Sequence, residues 1–330
     1  MTSPTIDVLG IGNAIVDVLA QADDAFLETH GIEKNSMTLI DEGQADALYA
    51  AMGSGREISG GSVANSIAGV ASFGGVGSFI GKVRDDQLGT VFAHDLRAVG
   101  VHFDTPFAKS GPATARSLIN VTPDAHRSMS TFLGACVGLT PEDVDEPQVS
   151  SAQITYLEGY LFDKEDAKQA FRRAAEIAVG AGRKTAMTLS DSFCVERHRA
   201  DFFDFITSSV DVLFANEAEI KAMYETEDFE TALEKAPALA EIVAVTRSEK
   251  GSIILADGAR IPVEAAPPPR LVDTTGAGDL YAAGFLFGLT RGDDAAHCAK
   301  LGSLAAAEII SHYGARPEVS LKDLAAENGL

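Results

Sequence analysis

Basic side chains are scarce in this sequence. Lys and Arg number 26 against 48 Asp and Glu, a formal net charge of −22 over 330 residues. A surface so acidic argues against nucleic acid and anionic membranes as partners, because phosphate-bearing surfaces need Lys and Arg. It leaves a nucleotide open as a ligand, since backbone N–H groups, a few basic side chains and Mg²⁺ can hold one locally. Cysteine is sparse as well. Cys136, Cys194 and Cys298 are an odd, widely spaced set with no CxxC, the usage of reduced thiols in a cytoplasmic protein. Met1 to Asp7 carry neither the basic start nor the apolar stretch of a signal peptide. The longest apolar run near the C-terminus, Leu280 to Leu289, is too short to span a bilayer. Long polar or low-complexity tracts are lacking, so disorder is not expected.

Several catalytic signatures are missing. Gly81-Lys82 is followed by Val83 and has no glycine five positions before it, so no GxxxxGK[ST] phosphate loop exists. Neither GxSxG nor HExxH occurs. The seven histidines are scattered, and His126 and His198 sit beside arginines as surface or network residues. Gly10-Ile11-Gly12 begins like a dinucleotide fingerprint, but Ile15 stands where its third glycine belongs.

What is present is an ordinary globular composition, 46% hydrophobic and 22% charged, long enough for one large α/β domain with a small appendage. Apolar runs alternate with amphipathic ones. Strands are expected at 8–12, 76–80, 154–157, 185–189, 210–214, 242–246 and 252–255. Helices are expected at 44–52, 63–73, 88–99, 164–179, 199–208, 217–224, 278–289 and 294–312. This rhythm predicts a doubly wound, mostly parallel sheet covered on both faces. Residues 114–121 and 127–132 break it. They read as a hairpin about the turn Thr122-Pro123-Asp124-Ala125.

Five segments carry candidate chemistry. Asp273-Thr274-Thr275-Gly276-Ala277-Gly278-Asp279 opens an apolar helix. Its glycines permit close approach of backbone, and N–H groups at a helix start cradle negative charge. Asp279, in the first turn beside that cradle, is placed to accept a hydroxyl proton while the cradle stabilises a transferring phosphoryl group. Asn216-Glu217-Ala218-Glu219 ends a predicted strand, where open α/β sheets bind ligands. Asn216 and Glu219 suit hydrated Mg²⁺ near phosphates, and equally form a capping box. Asn13 and Asp17, after the first strand, suit sugar hydroxyls or an Asx turn. Gly60-Gly61-Ser62-Val63-Ala64-Asn65 admits a polyol close to backbone, or is a tight strand–helix turn. The loop 245–251, with Thr246, Ser248 and Gly251, lines a nucleotide site or is a plain hairpin loop.

Taken together, these motifs resemble the ribokinase-like (PfkB) carbohydrate and nucleoside kinases, in order and over essentially the whole chain. Within that family, residues 10–17, 60–67, 124–128 and 210–219 look most like the adenosine kinase branch. The resemblance implies a single ribokinase-like domain over 1–330, with a small β lid from parts of 13–41 and 105–135. It implies ATP and Mg²⁺, transfer of the γ-phosphate to the 5′-hydroxyl of adenosine, and a role in purine salvage. It implies Asp279 as general base and Gly276, Ala277 and Gly278 as anion hole. Arg127 would approach the phosphoryl group as the lid closes. Asn13, Asp17, Gly60, Gly61 and Asn65 would hold the ribose, and Phe193 would stand by the base. Asn216, Thr246, Ser248, Gly251 and Thr274 would bind the nucleotide. Glu219 would reach Mg²⁺ through water, and a monovalent cation such as K⁺ would sit near Asp273 and Thr275. The chain would act as a monomer or homodimer. Thr275 departs from the branch, where Asn is common at this position; Thr is common in sugar kinases. A sugar kinase for ribose, fructose or a relative is therefore the alternative within the class, and a silent nucleotide-binding regulator the alternative outside it.

Overall fold

The computed structural model describes residues 5–124 and 126–330; Met1 to Pro4, and Ala125 of the expected turn, lie outside the described residues. The strands are β1 (Ile6–Ile11), β2 (Ile15–Gln21), β3 (Met37–Leu39), β4 (Arg56–Gly60), β5 (Gly77–Ile80), β6 (Ala115–Val121), β7 (Arg127–Phe132), β8 (Ala152–Glu158), β9 (Lys184–Thr188), β10 (Val212–Asn216), β11 (Ile242–Thr246), β12 (Ser252–Ala256) and β13 (Ala259–Val263). Eight of them form the main sheet in the order β13-β12-β11-β10-β9-β8-β1-β5. From β5 to β11 all pairings are parallel, and only β12 and β13 run antiparallel at one edge.

The parallel strands are apolar on both faces because both faces are covered. Along β10, Val212 and Phe214 enter one core with helices Ser62–Ser72, Ala277–Arg291 and Ala295–Ile309. Leu213 and Ala215 enter the other, with helices Glu165–Gly180, Ser192–Ser209 and Glu217–Met223. This is the doubly wound layering that the alternating pattern predicts. Its consequence for function is positional. The C-terminal ends of β1, β8, β9, β10 and β11 deliver Asn13, Glu158, Thr188, Asn216 and Thr246 to one edge of the sheet, where such folds bind ligands.

A second sheet, ordered β3-β7-β6-β2-β4, stands over that edge. The hairpin β6–β7 was expected; β2, β3 and β4 were not resolved within the mixed stretch 13–58. Strand β4, Arg-Glu-Ile-Ser-Gly, has little intrinsic strand preference and exists because it pairs with β2, so its residues extend the second sheet beyond the segments anticipated for the lid. Helical boundaries differ too. The helix expected at 199–208 runs Ser192–Ser209 with a kink at His198. The one expected to reach residue 312 stops at Ile309, where the chain turns back toward residues 272–273. No helix among the described residues is long and apolar enough to cross a membrane.

Candidate active site

Gly276 caps the helix Ala277–Arg291 with φ +81°, a left-handed conformation that favours glycine. A Cβ there would also stand 2.9 Å from the Cβ of Ala315. The turn aims the N-terminal end of the helix into the cleft. The N–H of Ala277 closes that turn onto Thr274 O at 3.2 Å, whereas those of Gly276, Gly278 and Asp279 have no protein acceptor among the described residues. The amides of Gly276, Gly278 and Asp279 are therefore open, and that of Ala277 is engaged in the turn.

Asp279 lies one turn inside. Its Oδ1 accepts the hydroxyl of Ser62 at 2.6 Å and its Oδ2 accepts Asn65 Nδ2 at 2.9 Å. Burial pushes the carboxyl above its ordinary range, while these two hydrogen bonds and the charge of Arg316 pull it back. Ser62 and Asn65 come from the helix Ser62–Ser72, which begins at Gly61 with φ +100°; a Cβ on Gly61 would meet Asn13 O at 2.1 Å. Gly60 packs directly on the Asp17 carboxylate. Asp17 projects from the middle of β2 and makes no hydrogen bond among the described residues. Burial raises its pKa to about 6, against the pull of Arg127 and Arg316 and with a push from Asp279.

Arg127, the first residue of β7, reaches from the second sheet to the Asp273 carboxylate and to Thr275 Oγ1, the latter at 3.2 Å. Asp273 is otherwise filled: Oδ1 accepts Thr275 N at 3.1 Å and its hydroxyl at 2.7 Å, and Oδ2 accepts Gly314 N at 3.2 Å. With Arg127 seated as its counter-charge, this carboxylate does not fit a monovalent cation.

Glu219 and Asn216 form a complete capping box. Asn216 N and Nδ2 donate to the two Glu219 oxygens at 2.9 and 2.6 Å, and Glu219 N donates to Asn216 Oδ1 at 2.9 Å. Burial raises the Glu219 carboxyl to about 7, with a further push from Asp191. It lines the cleft beside Asp279 and Gly278. Among the described residues no cluster of three acidic, His or Cys side chains offers a metal cage. A single carboxylate suits Mg²⁺ that arrives on nucleotide phosphates and keeps most of its water.

The cleft has two compartments that meet at Thr274, Ala277 and Gly278. One, of about 350 Å³, holds Ser62, Tyr156, Tyr160, Asn216, Glu219 and Asp279. The other, of about 470 Å³, is more apolar and holds Thr246, Ser248, Gly251, Pro268, Leu271 and Ala306. The loop 248–251 is thus both a hairpin connection between β11 and β12 and a wall of the second compartment.

Sequence reasoning overlooked three residues at the site. Tyr160, 39% exposed, lines the first compartment. Arg316 donates to Ser59 O, Ser59 Oγ and Ala64 O and so clamps the turn bearing Gly60 and Gly61; burial lowers its pKa to about 10. Glu158 accepts from Asn13 and Val63. Arg316 stands in an unremarkable Gly-Ala-Arg-Pro run, and only its fold position gives it meaning. Phe193 is 70% exposed on the first turn of its helix and is not among the residues lining the two compartments.

Comparison with known proteins agrees with this geometry. The model of the pfkB family carbohydrate kinases matches residues 31–321. The solved adenosine kinase of Sinorhizobium meliloti is 54% identical, with a TM-score of 0.90, covering 98% of this chain and 99% of that one. A probable sugar kinase from Rhizobium etli is 49% identical, with a TM-score of 0.91 over 99% of both chains. Adenosine kinase 2 of Arabidopsis thaliana is 26% identical over 93% of this chain and 94% of its own. A two-compartment cleft, a helix start open to anions and a buried carboxylate beside it are what a phosphotransferase needs, and the chain belongs to the pfkB carbohydrate kinase family.

Proposed function

We propose that the protein transfers the γ-phosphate of MgATP to the 5′-hydroxyl of adenosine. The observation that carries this reading is an apolar strip on the second sheet. Register places Leu39, Thr131, Ser117, Asp17 and Ile58 in one row on one face, and Met37, Met129, Ile119, Leu19 and Arg56 in the next, with the apolar side chains gathered toward β3 and β7 in the second. Arg127, on the same face of β7, turns that face toward Asp273 and the cleft. Met37 and Leu39 are 56% and 59% exposed. Exposed apolar side chains on the same face as a bare carboxylate suit a base joined to a ribose: the base lies against Met37 and Leu39 and the diol on Asp17. A free sugar has nothing to place on the strip.

In this reading Asn13, Gly60, Gly61 and Asn65 surround the ribose with Asp17. Asp279 takes the 5′-hydroxyl proton, and the oxygen attacks the γ-phosphorus in line with departing ADP. The amides of Gly276 and Gly278 and the guanidinium of Arg127 face the charge that develops on the phosphoryl oxygens. ATP occupies the compartment of Thr246, Ser248, Gly251 and Leu271, with Asn216 and Thr274 at the phosphates. Glu219 would hold a water of the Mg²⁺ that accompanies those phosphates, a cation that would supply charge neutralisation there. Closure of the second sheet onto the cleft excludes water from the reaction.

Thr275 and the likeness to the Rhizobium etli protein favour a second reading, a sugar kinase. ADP release measured with MgATP and a panel of adenosine, ribose and fructose separates the two. Release with adenosine alone is expected. Release with free sugars alone would select the second reading, and ATP binding without release to any acceptor would select a silent regulator.

A further inference from the structure

Asn13 and Asn65 share an arrangement. Each is almost fully buried, 3% and 5% exposed. Each donates its side-chain NH₂ to a carboxylate: Asn13 to Glu158 Oε1 at 2.7 Å, Asn65 to Asp279 Oδ2 at 2.9 Å. Each is left with a buried Oδ1 that has no partner among the described residues. Asp17, nearby on β2, makes no hydrogen bond either. Buried polar atoms without partners are uncommon in folded proteins and mark places where a ligand completes the bonding. The open side-chain atoms of Asn13, Asn65 and Asp17 are all acceptors; Arg127, whose charge reaches Asp17, has an open donor in Nε.

Asp279 has a proposed role in the reaction; Glu158 has none. Glu158 ends β8 with 1% exposure. Its Oε2 accepts two backbone donors, Val63 N at 3.0 Å and Asn13 N at 3.3 Å. Gly12 makes room for it, since a Cβ there would lie 2.4 Å from Oε2. No Lys, Arg or His among the described residues pairs with it, so three N–H donors from two elements are all that hold this carboxylate. Backbone N–H groups cannot reverse their polarity, whereas a side-chain amide can.

We propose that Glu158 is a positioning residue for the acceptor substrate: it locks the Asn13 amide with its NH₂ inward, so that Asn13 Oδ1, Asn65 Oδ1 and Asp17 together form an all-acceptor site for ligand hydroxyl groups. The proposal rests on the reading of this cleft as a nucleoside site and adds the device that sets its polarity. Such a site takes neutral, hydroxyl-rich ligands and rejects those lacking a hydroxyl, because the acceptor that loses its donor stays buried and unpaired.

The substitution Glu158→Gln tests this through that asymmetry. The two backbone donors require the Gln oxygen at the Oε2 position, so its NH₂ must face Asn13. The Asn13 amide then reverses and turns its own NH₂ outward. Calorimetric affinities for adenosine, 2′-deoxyadenosine and 3′-deoxyadenosine read the effect, with ATP binding as the check on folding. Wild-type protein is expected to favour adenosine over at least one deoxy analogue by roughly 10-fold or more. E158Q is expected to lose most of that preference, and the double variant N13D/E158Q to regain it, because Asp accepts from the Gln NH₂ and still presents an oxygen outward. A preference unchanged in E158Q, or not regained in the double variant, would overturn the proposal; a merely structural Glu158 would weaken all three ligands alike. Binding without phosphorylation would refute the kinase reading for adenosine and leave this inference standing. Absence of any binding by adenosine would overturn both.

Discussion

Arg127 and Asp273, far apart in sequence, meet as an ion pair that joins the second sheet to the anion-binding turn. Both side chains are largely buried, at 11% and 7% exposure. In the proposed reaction the γ-phosphate of ATP arrives beside this pair, and a guanidinium that already spans Asp273 and Thr275 would face the phosphoryl charge as it develops. Arg127→Gln is expected to lower kcat by about 10²–10³-fold, the range for losing one donor to a transition-state oxyanion. Arg127→Lys should recover part of it, because both contacts come from the single nitrogen Nη1 and a Lys ammonium carries the same charge. Steady-state kinetics at saturating adenosine and MgATP would decide; a kcat within threefold of wild type in both variants would remove Arg127 from the reaction.

Asp279 separates chemistry from positioning. Asp279→Asn is expected to cut kcat by about 10²–10⁴-fold, the usual contribution of a general base, with little change in adenosine affinity. Ser62→Ala offers a subtler readout. The hydroxyl of Ser62 stabilises the ionised form of Asp279, so its removal raises the carboxyl pKa further. The acid limb of the kcat/KM profile should then move to higher pH, with the alkaline side unchanged. A limb that stays in place would mean that Asp279 is not the group titrating there.

How much of this was legible beforehand depended on whether the signal was local. The alternation that gives β8 to β11 and their covering helices is written within each segment, as is the glycine–aspartate start of the helix at Ala277. Asn216 and Glu219 were legible for a second reason: a capping box is a local motif, and here the two residues form the box and line the cleft together. Strand β4 was not legible, because its residues become a strand only by pairing with β2. Arg316 and Glu158 escaped for the same reason. Their partners lie 257 and 145 positions away, and nothing beside them in the sequence marks the contact. Phe193 is a different case: it was placed by resemblance alone, and its side chain is 70% exposed although the next two residues of the same turn, Cys194 and Val195, are buried.

The apolar strip makes a prediction that divides the two substrate classes. Leu39 is exposed in the free protein, so Leu39→Asp should leave stability nearly unchanged. If the base lies on the strip, the substitution forfeits apolar burial of about 1.5–3 kcal/mol, roughly a 10–100-fold rise in KM for adenosine. Any turnover of ribose should be untouched. Equal effects on both acceptors, or none on adenosine, would detach the strip from substrate binding.

The stability of the free protein should fall as pH rises from 5 to 7.5. Asp17, Glu158 and Glu219 are raised from ordinary values of 3.8, 4.5 and 4.5 to about 6, 7 and 7, and Asp279 is raised too; burial is the first cause in each. A carboxyl whose folded pKa lies above its unfolded one holds its proton longer in the native state. Its favourable contribution is complete below the unfolded pKa and is lost as pH climbs through the folded value. Within that window the native state binds more protons than the unfolded chain, and each extra proton steepens the fall by up to about 1.4 kcal/mol per pH unit. Urea denaturation across this range should therefore show a declining midpoint. Glu219→Gln isolates one contributor: the Gln oxygen can keep the bond from Asn216 N, while its NH₂ meets Asn216 Nδ2 and costs some stability at every pH. Its midpoint should decline less steeply with pH than that of wild type. A wild-type midpoint that climbs over this interval, or parallel curves for the two proteins, would show that these carboxyls do not titrate as burial requires. MgATP should raise the wild-type midpoint most at the upper end of the range, where Glu219 is ionised and the hydrated cation on the nucleotide supplies the positive charge the apo site lacks.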